Sequence, residues 1–147
     1  MTGMILSKSC IYAIRAAMLV SLKVDGEKRK FIPIREIAEE LNLSFHFLTK
    51  ILQVLTEAKI MDSFKGPSGG IGLARKPADI RLIDIIIAID GDQMFGECIL
   101  GLPGCGEQAP CSLHSRWLRQ RNNLQKMFEK SNLDTLTRDL KTSKFRN

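Results

Sequence analysis

Apolar residues in the first part of the chain recur three and four positions apart, which is the period of an amphipathic helix. The first such pattern runs from Ser7 to about Val24. The second begins at Pro33, because proline is tolerated in the first turn of a helix, and Asn42 ends it. The third pattern, SFHFLTKILQVLTEAK, begins at Ser44, a natural N-cap. The short connection between the second and third patterns predicts a helix-turn-helix.

A glycine-rich hairpin is predicted directly after the third helix. Residues 60–64 and 71–75 are short strand-like runs, and the segment KGPSGG between them supplies the backbone angles that a hairpin tip requires. A phosphate-binding loop is the alternative, but such a loop would continue through GK[ST] into a helix, whereas this one leads into a strand. A hairpin in this position is the wing of a winged helix.

Two further helical patterns follow, separated by a loop. Residues 78–91 are apolar on most sides, which predicts a buried helix that ends at Gly91 and completes a winged helix-turn-helix domain over residues 1–91. No period is visible between Gly91 and Pro110, where glycine and proline are dense. Residues 92–111 are therefore predicted to form a loop that is held by something other than a hydrophobic core.

Ser112 is a natural cap for a long final helix that extends to about Lys130. This helix could pack on its own domain, but a long basic helix after a complete small domain has few partners within the chain, which favours a dimerisation helix. A shorter segment over residues 132–141 is expected to fold back or fray. Residues 112–147 are thus predicted to be a dimerisation helix and C-terminal tail in a mainly α chain. The apolar stripe of the long helix consists of Leu113, Trp117, Leu124 and Phe128.

The composition favours a soluble globular protein and argues against an enzyme. A chain of 147 residues with 44% hydrophobic content suits one soluble globular domain with a helical arm. The absence of a leader pattern and of a membrane-length apolar run predicts a cytoplasmic protein, in which disulfides are disfavoured. Only two histidines are present, the acidic residues are scattered, and no base partners the cysteines, so neither an enzyme nor a small-molecule substrate is expected.

The net charge of +6 suggests a polyanionic partner, but its distribution does not locate a binding face. Residues 1–114 carry 13 Lys or Arg and 13 Asp or Glu, whereas residues 115–147 carry 9 and 3. The N-terminal residues of a recognition helix approach the base edges in the major groove. The candidate DNA-binding side chains there are Ser44, His46, Thr49 and Lys50, and Arg75 and Lys76 are candidates for phosphate contacts.

Three cysteines and a histidine are concentrated in residues 97–114. Cys98, Cys105 and Cys111 are soft thiolate ligands, and His114 adds an imidazole. The gaps are wider than in the CxxC pairs of most structural zinc sites, and they suit a larger group with ligands on different sides. The spacing therefore favours an iron–sulfur cluster over zinc, with a loop of reduced thiols as the third possibility.

The order of these segments resembles that of the IscR/NsrR-type (Rrf family) iron–sulfur winged-helix transcription regulators. The resemblance covers Leu6 to at least His114. It is carried by LSKSCIYAIRAAM, PIREIAEELNLSFHFLTKILQVL, KGPSGGIGLAR, LIDIIIAIDG and the cysteine loop. It implies a homodimer that binds double-stranded, palindromic operator DNA, with a basic residue in the minor groove at the position of Lys65.

The resemblance also implies a ligand set. In members with a [2Fe–2S] cluster, the three cysteines and the histidine bind iron, which corresponds here to Cys98, Cys105, Cys111 and His114. Members with a [4Fe–4S] cluster use an aspartate just before the tyrosine of the first helix, where this chain has Ile11. A [2Fe–2S] cluster is therefore favoured, although a purified sample need not retain it. Cys10 or an exogenous ligand remains the alternative to His114.

Three other functions fit the same sequence. A zinc-stabilised winged-helix protein and a cofactor-free thiol- or nitric-oxide-responsive regulator would both use the cysteine loop. A cluster-carrying module without DNA binding would use the loop alone. The preferred expectation is a repressor-type, sequence-specific regulator whose operator binding depends on a cluster.

Overall fold

The structure is a computed structural model that describes residues 5–24, 28–101 and 111–140. Six α-helices and a two-stranded antiparallel sheet form the described part of the chain, which confirms the mainly α winged-helix prediction. None of the described helices is long and apolar enough to cross a membrane. In chain order the elements are α1 (Lys8–Lys23), α2 (Ile34–Leu41), α3 (Phe45–Glu57), β1 (Met61–Phe64), β2 (Gly70–Leu73), α4 (Leu82–Asp90), α5 (His114–Lys130) and α6 (Leu133–Leu140).

Local capping sets the bounds of the helix-turn-helix. The Ser44 side chain accepts a hydrogen bond from the backbone N–H of Phe47 at 3.1 Å, so the predicted N-cap of α3 is confirmed. Asn42 ends α2 in the left-handed conformation, with φ of 54°, a conformation that asparagine tolerates better than most residues. Pro33 occupies the cap position of α2, one residue before the helix begins. The turn between α2 and α3 is therefore fixed by its own residues.

The wing is the hairpin β1–β2, in which Met61 pairs with Leu73 and Phe64 pairs with Gly70. Ile32 extends this sheet by a single bridge, because its N–H donates to the Ile71 carbonyl at 2.9 Å and its carbonyl accepts from the Ile71 N–H at 2.8 Å. A Cβ atom on Gly70 would lie 2.1 Å from the Ile32 carbonyl oxygen. Glycine is thus required where the wing passes the segment before α2.

The last helix completes the core of the winged-helix domain. Leu133 of α6 is 1% exposed and belongs to the same buried cluster as the apolar faces of α1, α2 and α3. The junction before α6 also pairs with the segment before α4, since Leu82 N–H donates to Ser131 O at 2.8 Å and Leu133 N–H donates to Ile80 O at 3.0 Å. Residues 132–140 therefore fold back, and α6 joins the core of residues 1–91 rather than forming a separate tail.

A second, smaller group of buried residues lies beside this core. This satellite cluster consists of Cys10, Ile83, Ile86 and Phe128, with Leu124, Met94 and Phe95 packed against it. The Phe95 and Phe128 rings meet edge to face with 6.1 Å between their centroids. The start of the loop is thus held by apolar packing through a 3₁₀ turn over Gln93–Phe95, contrary to the expectation that no core holds it.

The structure corrects two predictions about α5. Leu124 and Phe128 pack on α4 and so belong to the helix's own domain, whereas the whole stripe was expected to face another subunit. Ser112 does not cap the helix, which begins at His114 with Leu113 in the cap position and no side-chain hydrogen bond there. The C-terminal bound at Lys130 is as predicted.

The thiol of Cys10 is buried in the satellite cluster. Burial raises its pKa from the ordinary value of 9.0 to about 12, and the adjacent Asp90 carboxylate, which also accepts a hydrogen bond from the thiol, adds to the rise. Desolvation penalises the charged form of the thiol, so the folded protein favours neutral Cys10.

Replacing Leu133 with alanine tests the contribution of α6 to the core. Removing this buried side chain is expected to lower the free energy of unfolding by about 2–5 kcal/mol, because it leaves a cavity. The control is Ile5→Ala, since Ile5 is 65% exposed, and there we expect a change within about 0.5 kcal/mol. Urea unfolding followed by circular dichroism measures both, and equal effects would show that α6 is not part of the core.

Because the Cys10 thiol is buried, the free energy of unfolding is expected to fall at high pH. The unfolded thiol ionises near 9.0 and the folded thiol near 12, so its stabilising contribution is complete below pH 9 and falls as the pH rises toward 12. Cys10→Ala should lose less stability than the wild-type protein between pH 8 and pH 11. The measurement is urea unfolding across this range, and parallel pH curves for the two proteins would contradict the prediction.

Candidate metal centre and nucleic-acid interface

Three of the four predicted cluster ligands line one small pocket. Cys98 approaches from the loop after α4, while Cys111 and His114 approach from the start of α5. Cys105 lies outside the described residues, so its position relative to the pocket stays a prediction. We name this the cysteine pocket, and its remaining lining residues are Ile99, Leu100, Leu113 and Trp117.

Tight backbone turns present these ligand side chains. The N–H of Gly101 donates to the Cys98 carbonyl at 3.0 Å, and the N–H of His114 donates to the Cys111 carbonyl at 3.1 Å. The N–H of Leu100 donates to the Cys98 sulfur at 3.4 Å. A hydrogen bond to sulfur stabilises negative charge on that atom, as required of a thiolate ligand.

The donor set fits an iron–sulfur cluster in its chemistry. Two thiols and an imidazole share an apolar-walled pocket, and these are the ligand types of mixed cysteine–histidine clusters. Within the described ranges, no three His, Cys, Asp or Glu side chains are arranged to hold a single metal ion. The residues are therefore gathered in one place without forming a closed mononuclear site among themselves.

Helix α5 fastens the loop beside Cys98. The Trp117 indole N–H donates to the backbone carbonyl of Glu97 at 3.0 Å, and the Arg121 guanidinium donates to the same oxygen at 3.3 Å. The Arg121 Nε is buried and has no hydrogen-bond partner among the described residues. Two side chains, one helical turn apart, thus hold the residue that precedes a predicted ligand.

Cys10 is not part of this pocket. Its thiol lies in the satellite cluster and favours the neutral form, whereas a metal-bound cysteine must be a thiolate. The Ser7 N–H donates to Asp90 at 2.9 Å and the Ser7 hydroxyl donates to the other Asp90 oxygen, which fixes the carboxylate beside Cys10. Of the two residues that the sequence offers as the fourth ligand, His114 therefore lines the cysteine pocket and Cys10 does not.

A second surface site lies between α3 and the wing. Thr49 of α3 and Lys65 of the wing line this groove from opposite sides, so the structure brings these two predicted DNA-binding residues together. We name it the recognition groove. Among its other lining residues are Arg35, Phe45, Gln53 and Phe64, which the sequence did not single out.

The predicted DNA-binding residues of α3 and its cap differ in exposure and in the hydrogen bonds that their side chains already make. His46 and Lys50 are exposed. The oxygen of Ser44 is used as the helix cap, and the Thr49 hydroxyl donates to the Phe45 carbonyl at 2.7 Å. The Thr49 hydroxyl has thus used its one donor hydrogen and can offer a base only an acceptor, whereas the Ser44 hydroxyl accepts in the cap and keeps its donor hydrogen.

Arg75 and Lys76 lie at a different place from the recognition groove. They line a separate cleft with Lys30 and Ser21, behind the second strand of the wing. The Arg75 guanidinium donates to the Lys59 carbonyl at 3.1 Å and pairs with Asp84 at 3.4 Å. Arg75 thus ties the base of the wing to α4, which leaves Lys76 as the more available phosphate contact of the two.

The Rrf2 family model, described as "Iron-dependent Transcriptional regulator", matches residues 6–139. A putative HTH-type transcriptional regulator of Aquifex aeolicus is 30% identical over 135 residues, which cover 90% of this chain and 91% of the relative. Because the relatives are named as regulators, the prediction that the chain is not an enzyme is confirmed.

Solved structures give the same fold. T. potens IscR superimposes with a TM-score of 0.77 at 21% identity, over 99% of this chain and 94% of that chain. The oxidised form of Staphylococcus aureus CymR superimposes with a TM-score of 0.72 at 25% identity, over 91% of this chain and 96% of that chain. Together with the family match over most of the sequence, this confirms the predicted resemblance: the chain belongs to the Rrf2 family and is a DNA-binding transcriptional regulator.

Proposed function

We propose that this regulator binds an iron–sulfur cluster through its cysteine loop and that the cluster controls its affinity for an operator. The observation that carries the proposal is the cysteine pocket, in which Cys98, Cys111 and His114 meet. Cys105 is proposed as the third thiolate ligand. The cluster is proposed to be [2Fe–2S], since Ile11 stands where the [4Fe–4S] branch has a carboxylate.

The pocket suits a cluster because of what surrounds the ligands. Bound there, a cluster would supply a redox- and ligand-sensitive group that connects two segments of the chain. The Leu100 N–H at the Cys98 sulfur would lower the cost of the thiolate charge, and the Trp117 side chain would exclude water from one wall. The protein's own contribution is to hold the ligands and to exclude solvent.

The contacts of the loop offer a route from the pocket to the rest of the molecule. Glu97 is held by Trp117 and Arg121 of α5, and Phe95 packs on Phe128 of the same helix. Order in the loop is therefore coupled to the position of α5 on α4. We propose that α5 is also the dimerisation helix, and that Met127, which is 52% exposed, belongs to its outward face.

A regulator of this kind would place α3 in the major groove and the wing in the minor groove. His46 and Lys50 are proposed to contact base edges, with Ser44 and Thr49 close by. Lys65 is proposed to enter the minor groove, and the exposed Lys76 to contact a phosphate. A symmetric homodimer would then contact two half-sites of a palindromic operator.

A thiol switch without a resting cofactor is the second candidate. It is favoured by the placement of Cys98 and Cys111 around the same pocket and by the similarity to CymR, a structure of which is an oxidised form. The two candidates differ in which treatment changes operator affinity. Cluster reconstitution should change it in the first case, and thiol oxidation of the apoprotein should change it in the second.

The cluster proposal predicts which substitutions abolish cofactor binding. Anaerobically isolated protein should absorb in the visible range and contain iron and sulfide in equal amounts. Cys98→Ala and Cys111→Ala should lose both signals, because each removes a thiolate from the pocket, and His114→Ala should shift the spectrum or shorten the lifetime of the cluster. Absorption and Mössbauer spectra with metal analysis measure these effects.

The matched control for these variants is Cys10→Ala, since Cys10 lies in the satellite cluster and not in the pocket. It should leave the spectrum unchanged. Colourless protein with stoichiometric zinc would overturn the cluster proposal in favour of a zinc-stabilised fold. A spectrum that depends on Cys10 and not on His114 would reassign the fourth ligand.

The proposed docking predicts different behaviour for two DNA-binding variants. Lys65→Ala should weaken binding to every duplex and reduce the slope of log affinity against log salt by about one, because the minor groove loses a positive charge that lies between its two phosphate backbones. His46→Ala should reduce affinity for the operator by roughly tenfold while leaving random DNA unaffected, because a base contact is lost. Fluorescence anisotropy at several salt concentrations separates the two effects.

Lys130→Ala is the control for Lys65→Ala, because Lys130 is an exposed lysine at the end of α5, outside the recognition groove. It should bind as the wild-type protein does. If Lys65→Ala and His46→Ala both bind like the wild-type protein, and no sequence competes better than random DNA, the docking is wrong.

A further inference from the structure

The recognition helix begins with an aromatic side chain that the protein leaves in solvent. Phe45 is the first residue of α3 and is 51% exposed. It lies at the edge of the apolar stripe of the helix, whose members Leu48, Ile51, Leu52 and Leu55 are buried. Phe64 of the wing is 55% exposed and lines the same groove, so this groove carries two exposed aromatic rings that a ligand could cover.

The ring lies where a recognition helix meets base edges. Phe45 lines the recognition groove together with Thr49, one turn further along α3, and with Lys65 across the groove on the wing. The N-terminal residues of such helices approach the major-groove edges of the bases. Phe45 is therefore on the same helical stripe as a proposed DNA-binding residue and is nearer to the helix start.

Several contacts hold the ring and its backbone in place. The Arg35 guanidinium lies over the ring, 6.0 Å from its centroid, which is within the range of a cation–π contact. The Thr49 hydroxyl donates to the Phe45 carbonyl, and the Ser44 cap fixes the backbone on the other side. The ring is thus positioned before DNA binds, which limits the entropy lost on contact.

The chemistry of phenylalanine restricts what it can recognise. The phenyl ring has no hydrogen-bond donor or acceptor, so it cannot read the pattern of donors and acceptors that the bases display in the major groove. The apolar group that the major groove of unmodified DNA displays is the C5-methyl group of thymine, and phenylalanine is among the side chains that contact it. We infer that Phe45 is a specificity-determining residue that contacts a thymine methyl group in each half-site of the operator.

This inference rests on the proposed docking of α3 in the major groove, and a single methyl group tests it. The operator is first selected with the wild-type protein from random duplex DNA, and each thymine is then replaced with deoxyuridine, which differs only by the missing methyl. One position per half-site should lose affinity by about fourfold, the value expected for one buried methyl group. Phe45→Ala should bind the dT and dU duplexes equally well.

Two further variants control for loss of structure and for the position of the ring. Phe45→Leu keeps an apolar side chain and should retain part of the preference for dT over dU. Phe64→Ala removes the other exposed phenylalanine of the recognition groove, which is 55% exposed, and should retain the full preference at that position. Circular dichroism checks that each variant folds.

The outcomes separate this inference from the proposed function. If the wild-type protein selects no sequence, the proposed docking fails and the inference fails with it. If a sequence is selected but no dU substitution weakens binding, or Phe45→Ala keeps the same penalty as the wild-type protein, the contact of Phe45 with thymine is wrong while the docking stands. If Phe64→Ala, and not Phe45→Ala, abolishes the loss of affinity on replacing dT with dU, the contact with the methyl group belongs to the wing.

Discussion

Helix α4 packs on two sides at once, and the connection between the two surface sites depends on this packing. Ile85 is buried in the main core with the apolar faces of α1 and α3. Ile83 and Ile86 are buried in the satellite cluster with Cys10 and Phe128. Because buried side chains are close-packed, α5 cannot shift on α4 without disturbing residues that also position the recognition helix.

The end of α4 is fixed by an electrostatic contact at its last residue. A carboxylate at a helix C-terminus opposes the dipole of its own helix, so Asp90 is unfavourable for α4 in isolation. Its oxygens accept hydrogen bonds from the N–H and hydroxyl of Ser7, at the N-terminus of α1, where negative charge is favoured. The loop that leads to Cys98 therefore starts from a point that is tied to the first helix of the DNA-binding domain.

Features controlled by neighbouring residues could be predicted from the sequence, and features controlled by distant ones could not. The observed helix Lys8–Lys23, with Ser7 and Val24 as its caps, lies inside the predicted bounds because capping is local chemistry. Local signals also indicated a cap at Ser112, but the helix begins at His114. The loop after Gly91 showed no period, because Phe95 is held by a ring 33 positions later in the chain. The pairing of Arg75 with Asp84 was hidden for the same reason.

The cysteine pocket and the recognition groove share no lining residue among those described. A cluster in the pocket could therefore not change base contacts directly, and any effect on DNA must pass through the helices between the two sites. A ligand shifts a conformational equilibrium only by its difference in affinity for the two states. Here the relevant difference would be between states in which Glu97 is held by Trp117 and Arg121 and states in which it is released. Helix α4 also packs in the main core that supports the recognition helix, so in the proposed homodimer such a change would reach both the recognition helix and the spacing of the two half-site contacts.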